Sequence, residues 1–137
     1  ICARARACGA QVLLNADPAL VGAAGAQGVH LSARRLQALS ARPLPAGLWV
    51  AASCHDAAEL AQAARIGVDF VVLGPVLPTA SHPGAPSLGW ETLRTLTETT
   101  ALPVFALGGL QADDLPRAWE AGAQGIAAIR AFWEEGA

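Results

Sequence analysis

Apolar residues along this chain gather into short unbroken runs and do not alternate with polar ones. The runs fall at residues 12–15, 29–31, 49–53, 70–74, 104–107 and 126–129. Each has the length of a strand, and an uninterrupted apolar run marks a parallel strand covered on both faces. Between the runs the periodicity becomes helical. Ala57, Leu60, Ala61 and Ala64 stand at i, i+3, i+4 and i+7, and Leu115, Ala118, Trp119 and Gly122 repeat that spacing. Asp56 with Glu59 predicts a capping box, and Asp17-Pro18 reads as N-cap followed by N1. The helix over 17–26 is predicted to be short.

One joint recurs. An alanine-rich stretch ends in Gly, a small apolar residue follows, then Gln or Asp, and then an apolar run. The copies are Gly9-Ala10-Gln11-Val12, Gly25-Ala26-Gln27 before Gly28-Val29, Gly67-Val68-Asp69-Phe70, and Gly122-Ala123-Gln124 before Gly125-Ile126. A glycine that closes a helix suits the left-handed position just past its end, where a Cβ is penalised. Repetition of one helix-to-strand joint predicts a repeated β/α unit. Two architectures accommodate such units with right-handed crossovers: a (β/α)8 barrel lacking its first two units, or an open doubly wound sheet. No GxGxxG follows a strand, which speaks against a dinucleotide-binding fold.

Composition narrows the function classes. The chain has 137 residues, 53% apolar and 15% charged, as expected of one globular domain with a real core. Its net charge is −2 and it has no basic cluster, so neither nucleic acid nor an anionic membrane is an expected partner. The apolar runs are far too short to span a bilayer and no signal-peptide pattern is present, so the expected location is the cytoplasm. All 9 basic residues are arginine, which excludes a Schiff-base lysine and a Walker A lysine within this segment. Cys2, Cys8 and Cys54 form no CxxC pair and are expected to be reduced thiols. There is no methionine, and Ile1-Cys2-Ala3-Arg4-Ala5 reads as the middle of a helix, so the chain is expected to be a fragment of a longer protein.

Ligands bind at the C-terminal strand ends in both architectures. Those ends carry Asn15, His30 with Ser32, Ser53, the segment from Gly74 to His82, Gly108-Gly109, and Ile129-Arg130. Main-chain N–H groups at Gly108-Gly109 can cradle a phosphate, with the Arg130 fork beside them. The alternative is a tight turn, with Arg130 paired to a surface carboxylate. His82, within the irregular strand-end segment, is a candidate acid or base, or else a solvated loop histidine. Cys54-His55-Asp56 does not make a nucleophilic dyad, because strand neighbours point to opposite faces; Asp56 is better read as a helix cap. His30 is expected to be a hydrogen-bonded core histidine. No cluster has metal-ligand spacing.

The motifs "LLNAD", "GVHLSARRL", "VAASCHDAAELAQAARIGVDFVVLGPVLPT", "PVFALGGL" and "AGAQGIAAIRA", in this order, resemble the thiamine phosphate synthase/TenI-like superfamily. The resemblance covers nearly the whole chain and matches the third to eighth β/α units of that family. It implies a TIM (β/α)8 barrel of which residues 1–137 form a single-domain fragment, with the N-terminal units outside it. It implies ligand roles for Asn15, Ser53, Thr79 and Ser81, and a product-phosphate site at Gly108, Gly109 and Ile129, next to which Arg130 stands where the family often has serine. The synthase joins an aminopyrimidine diphosphate to a thiazole phosphate with the help of Mg²⁺.

This chain departs from that pattern in its charges. Ala16 and Arg35 stand where the family has Mg²⁺-binding acids, and His82 stands where it has a diphosphate-binding lysine. No cofactor is therefore expected. The implied function is binding of a phosphorylated thiazole or thiamine phosphate, with TenI-like tautomerase activity favoured over full synthase activity and His82 as the catalytic residue. The tautomerase's own histidine would fall at Pro75. The alternatives are a divergent synthase, or a non-catalytic ligand-binding domain fused to a Nudix hydrolase. A homo-oligomer is compatible with each.

Overall fold

The computed structural model describes residues 1–80, 83–129 and 132. Helix α1 (Cys2–Ala7) leads to strand β1 (Leu13–Leu14); a 3-10 turn (Pro18–Leu20) and helix α2 (Val21–Ala24) lead to β2 (Gly28–Leu31). Then follow α3 (Ala33–Ala38), β3 (Trp49–Cys54), α4 (Ala57–Ile66), β4 (Phe70–Leu73), α5 (Gly89–Thr97) and β5 (Val104–Leu107). A second 3-10 turn (Ala112–Asp114), α6 (Leu115–Glu120) and β6 (Gly125–Ala127) complete the described elements. All six apolar runs contain strands. The run at 12–15 contains only two strand residues, because the chain bends at Asn15-Ala16 before the turn that Asp17 caps by accepting from Ala19 N–H at 2.9 Å.

The strands form one parallel sheet in the order β1-β2-β3-β4-β5-β6. A doubly wound sheet requires the order to reverse at a switch point, and here it never does. The order is that of successive staves of a (β/α)8 barrel.

The recurring joint has a physical cause. In two copies the Gln or Asp side chain accepts a backbone N–H from the start of the neighbouring strand run: Val12 N–H donates to Gln27 Oε1 at 2.9 Å and Val50 N–H to Asp69 Oδ2 at 2.7 Å. The backbone N–H of the same residue donates back, Gln27 to Val12 O at 2.9 Å and Asp69 to Val50 O at 2.8 Å. Gln124 N–H makes the equivalent bond to Val104 O at 2.7 Å. The glycine of each copy has positive φ, from 63° at Gly25 to 85° at Gly122. The joint therefore closes a helix and sets the register of the next strand in one short stretch.

At β4 the joint carries an ion pair. Arg42 Nη2 lies 2.8 Å from Asp69 Oδ2, and Arg42 also donates to the carbonyls of Leu44, Leu48 and Gly67. Burial pushes the Asp69 carboxyl up, but hydrogen bonds from Arg42 and Val50 N–H, with the Arg42 charge, outweigh it and hold it below its ordinary value. A carboxyl whose folded pKa is depressed stabilises the fold above its unfolded value, and that contribution is lost as pH falls through the folded value. Unfolding midpoints of the wild type should thus drop below pH 3.8. Asp69→Asn should flatten that acid limb and lower the midpoint at neutral pH. An unchanged acid limb in a thermal melt series would refute the account.

One face of the sheet carries the core. Val29, Leu31, Val50, Ala52, Cys54, Val71, Leu73, Val104 and Ala106 point to it and pack on Leu36, Leu60, Ala63, Ile66, Leu93, Leu96 and Ala118 from the helices. Register puts Gly28, His30, Trp49, Ala51, Ser53, Phe70, Val72, Phe105, Leu107 and Ala127 on the opposite, inner face. Phe70 meets Trp49 and Phe105 edge to face, with centroids 6.3 and 5.5 Å apart. Among the described residues no helix is long and apolar enough to cross a membrane.

Candidate functional site

Beyond β4 the chain passes a cis peptide between Gly74 and Pro75 and runs alongside the end of β5. Val76 N–H donates to Leu107 O at 2.8 Å and Leu77 N–H to Gly108 O at 3.0 Å, extending the ladder past both strands. Leu88 N–H then returns to Pro75 O at 2.8 Å and Gly89 N–H to Val76 O at 2.9 Å, which closes the loop at the start of α5. The prolines suit such a segment, since each fixes φ and removes a donor.

Gly108 and Gly109 turn the chain where that loop lies closest. Their φ values are +104° and +68°. A Cβ on Gly108 would lie 2.6 Å from Pro75 Cα, and one on Gly109 2.6 Å from Pro78 O. Glycine is required here both by the turn and by the close approach of the β4 loop.

This approach shapes a cavity of about 260 Å³ at the C-terminal ends of β4, β5 and β6. Thr79 enters it from the β4 loop, Gly108, Gly109 and Gln111 from the end of β5, and Ala128 and Ile129 from the end of β6. Four of the sequence-derived candidates, Thr79, Gly108, Gly109 and Ile129, thus meet at one cavity. Asn15 and Ser53 do not line it: Asn15 is exposed just past β1, and Ser53 faces inward on β3. Ser81, His82 and Arg130 lie outside the described residues.

Leu107, Leu110, Gln111 and Ala128 are added by the structure. The signal for Gln111 is its place just before the 3-10 turn, where its N–H donates to Asp114 Oδ2 at 2.8 Å. Among the described lining residues none is cationic. Anion binding at this cavity would therefore rest on main-chain N–H groups and hydroxyls, with Arg130 following directly on Ile129 in sequence.

The other sequence candidates resolve differently. His30 is hydrogen-bonded, as expected, but it is half-buried on the inner face and lies outside the core. Its Nε2 lies 2.7 Å from Ser53 Oγ, and burial lowers its pKa. Cys54 is fully buried, and its thiol is pushed up to about 12 by burial and then by Glu59 and Asp56, which makes it a poor nucleophile. His55 turns instead to Glu59, Nδ1 to Oε2 at 2.9 Å. Asp56 caps α4 by accepting from Glu59 N–H at 2.8 Å. The expected capping box is altered: Glu59 reaches back to His55 N–H at 2.8 Å, one residue before the cap, because it also holds the His55 ring.

The donor set does not fit Mg²⁺. A hard divalent cation needs several oxygen ligands, carboxylates foremost. Past β1 the chain offers Ala16, then Asp17, whose Oδ1 is engaged as the cap of the 3-10 turn. Past β2 it offers the cation Arg35. Among the described residues no group of three or more His, Cys, Asp or Glu could hold a metal ion.

Comparison with known proteins points in one direction. The family model described as "Thiamine monophosphate synthase" matches residues 1–132. The chain is 41% identical over 127 residues to a putative thiamine-phosphate synthase of Geobacter sulfurreducens, covering 90% of this chain and 59% of that protein. It is 37% identical over 131 residues to a thiamine-phosphate synthase of Thermus thermophilus, covering 95% of this chain and 63% of that one. Among solved structures, the thiamine phosphate pyrophosphorylase from Pyrococcus furiosus superposes with a TM-score of 0.69 at 26% identity, over 91% of this chain and 59% of that one. The chain thus spans about 60% of the length of these relatives.

Proposed function

Since the chain belongs to the thiamine monophosphate synthase family, we propose that it binds a phosphorylated thiazole or thiamine phosphate at the C-terminal ends of β4, β5 and β6. The observation that carries this reading is the cavity in which Thr79, Gly108, Gly109 and Ile129 meet. In barrels of this kind a phosphate sits after the last two strands, and β5 and β6 correspond to them by the resemblance. Main-chain N–H groups at the Gly108-Gly109 turn would receive the phosphate oxygens, and the Thr79 hydroxyl would approach from the facing loop.

Release of a diphosphate group needs cationic neutralisation, normally by Mg²⁺. Ala16 and Arg35 remove the carboxylates for that ion, so the favoured activity is a TenI-like tautomerase step and not the full synthase reaction. Such a step takes a proton from one position of the bound thiazole and returns one to another, with His82 as acid and base in this reading. Asn15, Ser53, Ser81 and Arg130 complete the proposed ligand set.

Titration calorimetry tests the binding reading. Thiamine phosphate and thiazole phosphate should bind at least about tenfold more tightly than their unphosphorylated forms, about 1.4 kcal/mol for the charge-assisted phosphate contacts. Equal affinities would sink it. For the reaction, His82→Ala should remove about a hundredfold or more of thiazole tautomerisation while leaving binding in place. Formation of thiamine phosphate from the two precursors would show the divergent synthase instead.

A further inference from the structure

We propose that His30 is a positioning residue of the ligand site: its imidazole holds the Ser53 hydroxyl in one orientation on the inner face of the sheet, toward the non-phosphate end of the ligand. The inference rests on the binding reading above and deepens it.

The geometry starts from register. His30 on β2 pairs with Ala51 on β3, and Ser53 is the next residue of β3 on the same face. A long side chain reaches such a diagonal neighbour across a strand pair. The small Ala51 leaves room for the ring, and Nε2 stops 2.7 Å from Ser53 Oγ. The residues paired across this face toward β5 are apolar. Ala51 pairs with Phe70 and Ser53 with Val72 on β4. Val72 in turn pairs with Phe105 on β5.

The pair also shares the inner face of the sheet with part of the wall of the proposed phosphate cavity. Leu107 and Ala127, which pair with each other, line that cavity and share the inner face with Ser53. A ligand whose phosphate sits at Gly108-Gly109 can therefore extend across β4 toward β3 along one continuous surface. The first polar group it meets on β3 is Ser53.

The imidazole confers more than a contact. A lone serine hydroxyl rotates among its staggered positions and can present either a donor or an acceptor. Burial lowers the pKa of His30, so the ring is neutral near neutral pH, with one donor and one acceptor nitrogen. Whichever role Nε2 takes, Ser53 must present the complementary one to it. What the hydroxyl offers to the ligand is thereby fixed in advance, which lowers the ordering cost of binding.

Thiamine phosphate affinity should be measured by calorimetry on the wild type, His30→Phe, His30→Gln, Ser53→Ala and the His30→Phe/Ser53→Ala double variant. Phe keeps the ring volume and removes the bond; Gln restores a polar atom. His30→Phe should weaken binding about three- to tenfold, His30→Gln should recover most of it, and the double variant should lose no more than Ser53→Ala alone. Losses that multiply in the double variant, or an unchanged affinity for His30→Phe, would overturn the assignment while leaving the binding reading intact. A wild type that binds no thiamine phosphate would overturn both. The ¹⁵N resonances of the His30 ring, read without ligand, supply a check that needs no altered histidine. They should shift in Ser53→Ala, and their failure to do so would show that the pair does not form.

Discussion

Gly108→Ala is expected to abolish binding of thiamine phosphate and to be among the most destabilising single substitutions in the chain. Two costs combine. A φ of +104° is a conformation that residues with a Cβ rarely adopt, and holding one there costs about 1–3 kcal/mol. The new Cβ would also lie 2.6 Å from both Cα and Cβ of Pro75, closer than atoms can pack, so the β4 loop must move. That loop forms one wall of the candidate cavity, so its displacement removes the site as well as stability. Gly47 supplies the control. It too has a strongly positive φ, +96°, but an added Cβ meets nothing within 4 Å. Gly47→Ala should therefore cost only the backbone term and leave binding unchanged. Calorimetric melts and ligand titrations on both variants make the comparison. Equal midpoints for the two would mean that the contact between the β4 loop and β5 is not tight.

The second large effect lies on the neighbouring strand β4, just before the loop that Gly108 meets. Leu73 ends β4, is fully buried, and faces the helices among core residues. Leu73→Ala leaves a cavity in a packed interior, and such truncations cost about 2–5 kcal/mol. Domains are stable by only about 5–15 kcal/mol in all, so this is a large fraction. A urea titration should show a lower midpoint with an unchanged slope. A loss below about 1 kcal/mol would contradict the packing around Leu73. Because Gly74-Pro75 follows directly, the variant also tests whether the loop's placement depends on a well-packed strand end.

What could be read from the sequence was chemistry that acts locally. The joint glycines announce themselves because a positive φ needs glycine, and the Gln or Asp after them because it sets a neighbouring register. Continuous apolar runs marked parallel strands for the same reason: coverage on both faces leaves no polar alternation to see. The Gly108-Gly109 turn was legible as a turn, but its reason was not. That reason is Pro75 and Pro78, more than thirty residues earlier in the chain. Only the folded ladder from Val76 to Leu107 brings them together.

His30 shows the limit most clearly. A histidine within an apolar run reads as core, because sequence shows neither which face its strand turns inward nor that Ser53 waits on the next strand. Strand order was open for a similar reason. A repeated β/α unit serves a barrel and a doubly wound sheet alike, and only the unreversed order from β1 to β6 decides between them.

That unreversed order bears on how the molecule can assemble. Every pairing in the sheet joins a strand to the one immediately before or after it in the chain. The side-chain clasps at Gln27 and Asp69 likewise reach back a single strand. Among the described strands no pairing waits for a distant segment, so loop-closure entropy is met in small instalments, about one crossover at a time. Assembly can grow as a chain of neighbours, each completed strand offering the template for its successor.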